Sequence, residues 1–185
     1  MEIPVLLTPR LLLRPVTLDD APAVQALFPH WSIVRLLSAN VPWPYPPEGA
    51  LTHLRDNVMP RIAEGLQWQW SLRLREAPDS VIGMIALMDS AVCNRVFWLG
   101  EAWQGQGLMS EASQVATDYW FEELERPLMR VVKAAENLAS CRISRHQGMR
   151  LVREGERDFV AGRLPAQLWE ISREEWSRVT KIPTA

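Results

Sequence analysis

Three consecutive segments of this chain change the spacing of their apolar residues, and that change leaves few folds open. "QWQWSLRLR", from Gln67 to Arg75, alternates strictly and puts Trp68, Trp70, Leu72 and Leu74 on one face, which predicts a half-buried strand. "VIGMIALM", from Val81 to Met88, is apolar throughout, as a central strand covered on both faces is. "CNRVFWLG", from Cys93 to Gly100, reads as a third strand, so the three form an antiparallel meander. Beyond Gly100 the period lengthens. Leu108, Ala112, Val115, Ala116, Tyr119 and Trp120 recur at helical spacing over about four turns.

The flanking sequence extends this pattern. "RLLLRP" (Arg10–Pro15) predicts a first strand ended by Pro15. "TLDDAPAVQALF" predicts a helix capped by Thr17 or Asp19, and "SIVRLL" a second short one. Prolines crowd "NVPWPYPPEGA", which favours an ordered, extended loop. Leu51, Leu54, Val58 and Ile62 then repeat at helical spacing, with Pro60 expected to kink or break the helix. "LMRVVKAA" reads as a strand, and "NLASCRISRHQGM" as a helix with Asn137 at its cap and Gly148 past its end. "RLVREGERDFV" and "AQLWEIS" close the chain as a strand pair, followed by one helical turn at "REEW". The fold class expected is α+β, a mixed, mostly antiparallel central sheet flanked by helices, in one domain spanning residues 1–185.

Charge and composition exclude several function classes. The net charge of −2 gives no basic footprint for nucleic acid. No apolar run approaches the ~18 residues that cross a bilayer. The apolar N-terminus is interrupted by Glu2, Pro4, Pro9 and Arg10 and does not read as a signal peptide. Cys93 and Cys141 are isolated, which argues against a disulfide framework or a zinc site and for reduced thiols in the cytoplasm. His30, His53 and His146 show no paired carboxylate at catalytic spacing and read as structural or surface residues; no metal is expected. The nine tryptophans read chiefly as packing residues.

The junction "GEAWQGQGLMSEA" carries the chemistry. A helix N-terminus offers unpaired amides and the positive end of the helix dipole, and glycines let the backbone approach a phosphate. Gly100 and Gly105 have Walker A separation, but Gln106 and Gly107 stand where that loop needs Lys and Ser or Thr. A dinucleotide fingerprint fails as well, because "GQGLMS" ends in Ser110 and follows a meander.

The remaining pattern, Gln-x-x-Gly-x-Gly/Ala, resembles the pyrophosphate loop of the GNAT superfamily of acyl-CoA-dependent N-acetyltransferases, with Met109 departing at its last position. A side chain that long must turn into the helix packing. "TPRLLLRPVTLDDAPAVQALF", "VPWPYPPEGA", "VIGMIAL", "AAENLASCRISRHQGMRLV" and "LWEISREEW" are similar, in order, to the RimJ/RimL-like branch. The resemblance implies a GNAT-like sheet with a splayed strand pair. It implies acetyl-CoA as acyl donor, with Phe97, Trp98 and Leu99 pairing with the pantetheine arm and a backbone N–H near Leu99 left for the thioester oxygen. Gln104, Gly105, Gln106, Gly107 and Leu108 would hold the pyrophosphate. Asn137 would either cap its helix or touch the arm.

The reaction so implied is direct attack of a primary amine on acetyl-CoA in a ternary complex. Ser140 is the candidate donor to the leaving sulfur, against the alternative of a first-turn serine bonded to backbone. Glu101 is the candidate base, against a solvated loop acid, and a water chain would serve as well. Glu111 reads as a first-turn helix carboxylate. Trp43, Tyr45 and Glu48, around the proline-rich loop, are expected to line the acceptor cleft. The acceptor is a protein N-terminal amine or a small-molecule amine, and the protein a monomer or homodimer. The rival reading is a non-catalytic acyl-CoA sensor on the same fold.

Overall fold

A computed structural model describes residues 2–180. Strands β1 (Leu6–Leu7), β2 (Leu11–Pro15), β3 (Gln67–Leu74), β4 (Gly83–Met88) and β5 (Arg95–Leu99) form an antiparallel sheet in chain order. Strands β6 (Leu128–Ala134), β7 (Arg150–Phe159) and β8 (Gly162–Ser172) form a second sheet in the order β6-β8-β7. The helices are α1 (Ala21–Leu27), α2 (Trp31–Val34), α3 (Gly49–His53), α4 (Met59–Ala63), α5 (Leu108–Glu122), α6 (Leu138–His146) and α7 (Arg173–Thr180). None of them is long and apolar enough to cross a membrane.

The two sheets meet at one point. The Asn94 N–H donates to the Arg130 carbonyl, and the Arg130 N–H to Asn94 Oδ1, both at 2.7 Å. The next rung is replaced by a thiol: Cys93 Sγ accepts from the Val132 N–H at 3.5 Å and donates to the Arg95 carbonyl at 3.4 Å. Sulfur is too large for a ladder bond, and past this wedge β5 and β6 form no ladder. The α+β fold with a splayed strand pair is therefore present, its splay beginning at Cys93.

Helices cover both faces of the first sheet. Trp68, Trp70 and Leu72 of β3 pack with Ala112, Ala116, Tyr119 and Trp120 of α5 in the main core. On the other face Met84 packs with Val24, Phe28, Ile33, Leu54 and Val58 of the helical segments. Strict alternation predicts a half-buried β3; instead its polar face is buried too. Gln67, Gln69, Ser71 and Arg73 lie beneath the first helices, satisfied by one another and by Asp20, whose carboxylate meets Arg73 at 2.5 Å.

Local signals act much as their chemistry dictates. The Thr17 N–H donates to the Asp20 carboxylate at 3.0 Å, capping the turn that leads into α1. Pro60 has no N–H for an i−4 carbonyl, and the chain answers with a π-helical turn over Leu54–Val58 between α3 and α4. α7 runs to Thr180, longer than the single turn expected. The Ser172 N–H and Arg150 Nε both donate to Glu175, whose carboxyl they hold down at about 2, so this first-turn anchor persists through mild acid.

Candidate active site

At the start of α5, Gly105 (φ 75°) and Gly107 (φ 78°) are both left-handed. Such angles cost an L-residue about 1–2 kcal/mol, so glycine is what allows the turn. The amides of Gly105, Gln106, Gly107, Leu108, Met109 and Ser110 have no acceptor among the described residues; the helix ladder begins with the Glu111 N–H on the Gly107 carbonyl at 3.1 Å. These donors lie at the positive end of a 15-residue helix. Met109 is 8% exposed and packs in the core, as its place in the loop demands.

The loop is held from β2. Arg10 Nη1 donates to the Gln106 carbonyl at 2.9 Å, and Arg10 Nε pairs with Glu111 at 2.7 Å. The Arg10 N–H and the Thr8 hydroxyl also donate to Glu111. Burial opposes ionisation of Glu111, but these hydrogen bonds outweigh it and hold the carboxyl below its ordinary range. In a trans peptide the carbonyl and the following N–H point opposite ways. The grip on Gln106 therefore turns the Gly107 N–H away from Arg10. Gln104 Nε2 donates to the Leu99 carbonyl at 2.8 Å and Gln106 Nε2 to the Ala102 carbonyl at 2.9 Å, so both glutamines brace the loop. Sequence spacing does not reveal the role of Arg10, because its partners lie about a hundred residues along the chain.

The loop stands at one end of the β5–β6 gap. The Gly100 N–H bonds the Ile82 carbonyl at 2.8 Å and the Met88 N–H the Asn94 carbonyl at 2.8 Å, so even-numbered residues of β5 face β4. Phe97 and Leu99 face the gap, and the Leu99 N–H and both main-chain groups of Phe97 have no hydrogen-bond partner among the described residues. Trp98 departs from the expectation: its backbone is committed to Met84, and its ring lies edge-on to Phe28 at 5.2 Å. Gly83 permits this pairing, since a Cβ there would sit 2.5 Å from the Trp98 carbonyl.

α2 lies across the mouth of the gap. Ser32 Oγ donates to Glu101, just past β5, and Arg35 Nη1 pairs with Glu136, just past β6, at 2.6 Å. His30 Nδ1 lies 4.0 Å from Glu101, so the fold supplies the carboxylate that sequence spacing did not show. Beside them the Trp31 and Trp43 rings meet at a tilt of 47°, their centroids 5.4 Å apart, both half-exposed. Tyr45 packs edge-on to Phe28 at 5.2 Å, and burial raises its hydroxyl pKa. Glu48 stands at the cap of α3, lining an open groove of about 370 Å³ with Leu18, Asp19, Pro22 and Leu51.

On the β6 side Asn137 caps α6, its Oδ1 accepting the Ser140 N–H at 3.1 Å. The Ser140 carbonyl accepts from Lys133 Nζ at 2.7 Å. With its peptide fixed on both sides, Ser140 keeps a hydroxyl that has no partner among the described residues. No cluster of three His, Cys, Asp or Glu is placed to hold a metal among these residues.

Comparison with known proteins bears on this arrangement. A search of curated sequences gives no match. A structure of RimL, the ribosomal L7/L12 alpha-N-protein acetyltransferase, in complex with coenzyme A superposes with a TM-score of 0.75 at 18% identity, covering 92% of this chain and 97% of that one. The ribosomal-protein-S5-alanine acetyltransferase from Vibrio fischeri gives 0.76 at 15% identity, covering 94% and 98%. A GNAT-family acetyltransferase from Bacillus anthracis gives 0.76 at 17% identity, covering 93% and 100%. At such identities these likenesses speak for the fold alone. The model of the acetyltransferase (GNAT) domain matches residues 10–150, most of the sequence, and the chain accordingly belongs to the GNAT family of N-acetyltransferases.

Proposed function

We propose that residues 1–185 act as one domain that transfers the acetyl group of acetyl-CoA to a primary amine, either a protein N-terminus or a small molecule, by direct attack in a ternary complex. The observation that carries this reading is the run of unsatisfied amides from Gly105 to Ser110, opening beside a gap whose wall offers unpaired main-chain groups at Phe97 and Leu99. The first set suits a diphosphate and the second an extended arm with amide groups. The Leu99 N–H is then the donor for the thioester oxygen. The Ser140 hydroxyl serves the leaving sulfur. Glu101, with His30 beside it, takes the proton of the attacking amine, and the Trp31–Trp43 pair walls the acceptor side. Free Cys93 and Cys141 support a cytoplasmic setting.

Calorimetry with coenzyme A, followed by a thiol-release assay against N-terminal peptides and amine drugs, tests this reading. Binding with turnover is the expected result. Binding without turnover on any amine would replace it with the non-catalytic sensor. Within the assay, Ser140→Ala is expected to lower turnover about 10²-fold while CoA affinity stays unchanged; full turnover would remove Ser140 from the mechanism.

A further inference from the structure

Lys133 of β6 is 6% exposed, and no carboxylate pairs with it among the described residues. Its Nζ donates to the Ser140 carbonyl and to Ser144 Oγ, each at 2.7 Å, and its third proton has no acceptor among the described residues. Across the gap Arg95 of β5 is 3% exposed; its Nη1 meets Thr117 Oγ1 at 2.5 Å and the Ser113 carbonyl at 3.4 Å, its guanidinium lies over the Phe97 ring at 5.9 Å, and its Nε and Nη2 have no hydrogen-bond partner among the described residues. Two buried basic side chains thus stand on the strands at either side of the β5–β6 gap, one tied to α6 and one to α5, and neither pairs with a carboxylate among the described residues. A buried unpaired charge costs several kcal/mol, and apolar replacements of buried ionic groups are often neutral or stabilising. Stability therefore gives no reason to keep a lysine at this position. A reaction that makes a transient anion nearby does.

We propose that Lys133 is the cation that receives the departing coenzyme A thiolate and protonates it. This rests on the acyl-CoA reading of the gap given above. When the carbon–sulfur bond breaks, its electron pair goes to sulfur. A proton then passes from Lys133 Nζ to sulfur, giving the free thiol and a neutral amine. The proton released by the attacking amine through Glu101 or water restores the ammonium. Ser140 is a hydrogen-bonding partner in this step, its weakly acidic hydroxyl no longer required to give up its proton.

The surroundings suit the role. Burial and then Arg95 lower the Lys133 pKa to about 7, partly offset by Cys141 and Cys93. α6 presents only Ser140, Ser144 and Cys141 to it, and α5 holds Arg95 through Thr117. From β8 the cross-strand residue is neutral Gln167, engaged with Cys141 and Glu154. An acid with a pKa near neutrality both gives and regains a proton readily.

Lys133→Met tests the proposal by titrating the thiol of bound coenzyme A through thiolate ultraviolet absorbance. The spectrum with desulfo-coenzyme A is subtracted to cancel Cys93 and Cys141. In the parent the bound thiol should ionise more readily than free coenzyme A. In Lys133→Met it should ionise about tenfold less readily, one pKa unit, with turnover reduced about 10²-fold. CoA affinity should be retained and the melting temperature should not fall. Equal thiol titration in parent and variant overturns the proposal, as does full turnover. If Lys133→Met fails to fold, Lys133→Gln is read by the same two criteria. Absence of coenzyme A binding to the parent would instead defeat the acyl-CoA reading itself.

Discussion

Asp20→Ala is expected to lower the unfolding free energy by about 3–5 kcal/mol, read as an earlier midpoint in urea with an unchanged slope. The side chains of Arg73 and Asp20 are 3% and 2% exposed and meet at 2.5 Å. Arg73 also donates to the Pro78 carbonyl at 3.0 Å and to Ser71 Oγ at 3.3 Å, so the guanidinium cannot leave its site without breaking other bonds. Removing Asp20 strands that charge beneath the first helices and also frees the Thr17 N–H that caps their entry. The matched apolar pair Asp20→Leu with Arg73→Met should recover much of the loss, because it removes both charges. Glu174→Ala, which breaks the exposed pair with Arg178, should change stability by under about 1 kcal/mol. A midpoint for Asp20→Ala no lower than that of Glu174→Ala would show that Arg73 finds another partner or water.

The contrast between those two pairs also explains what the sequence discloses. Where the cause of a structure is local, it is legible. The left-handed turn needs Gly105 and Gly107 whatever surrounds it, Asn137 caps the helix three residues from its partner amide, and the apolar face of β3 follows from alternation alone. The other face of β3 is not legible. Gln67, Gln69, Ser71 and Arg73 read as solvated residues, and only the return of the first helices makes them interior. Sequence likewise does not bring Arg10 to the loop, His30 to Glu101 or Lys133 to Ser144, since each pair lies on elements joined by the fold rather than by the chain. The backbone direction of Trp98 is hidden for a related reason. Which residues of β5 face the gap depends on its register with β4, which no periodicity within β5 reveals.

Gly107→Val is expected to weaken coenzyme A binding about 10–100-fold, roughly 1.4–2.7 kcal/mol, while the protein stays folded. The site of a Cβ on Gly107 is 3.5 Å from Arg10 Nη2, so space is not the obstacle. The obstacle is φ 78°, which a β-branched residue resists. The cheapest relief is rotation of the Gln106–Gly107 and Gly107–Leu108 peptides. That rotation pulls the Gln106 carbonyl from Arg10 and re-aims the amides proposed to hold the diphosphate. Each charge-assisted hydrogen bond so lost is worth about 1.5–3 kcal/mol. The strain falls on a loop outside the sheets, so global unfolding should move little. Arg10→Ala separates orientation from strain: it keeps the glycine but frees the Gln106 carbonyl, and should weaken binding in the same direction and less severely. Gly155→Val, on exposed β7 with open space around its Cβ and no positive φ, should bind coenzyme A as the parent does. Parent-like affinity in Gly107→Val, measured by calorimetry on folded protein, would move the diphosphate away from the α5 terminus.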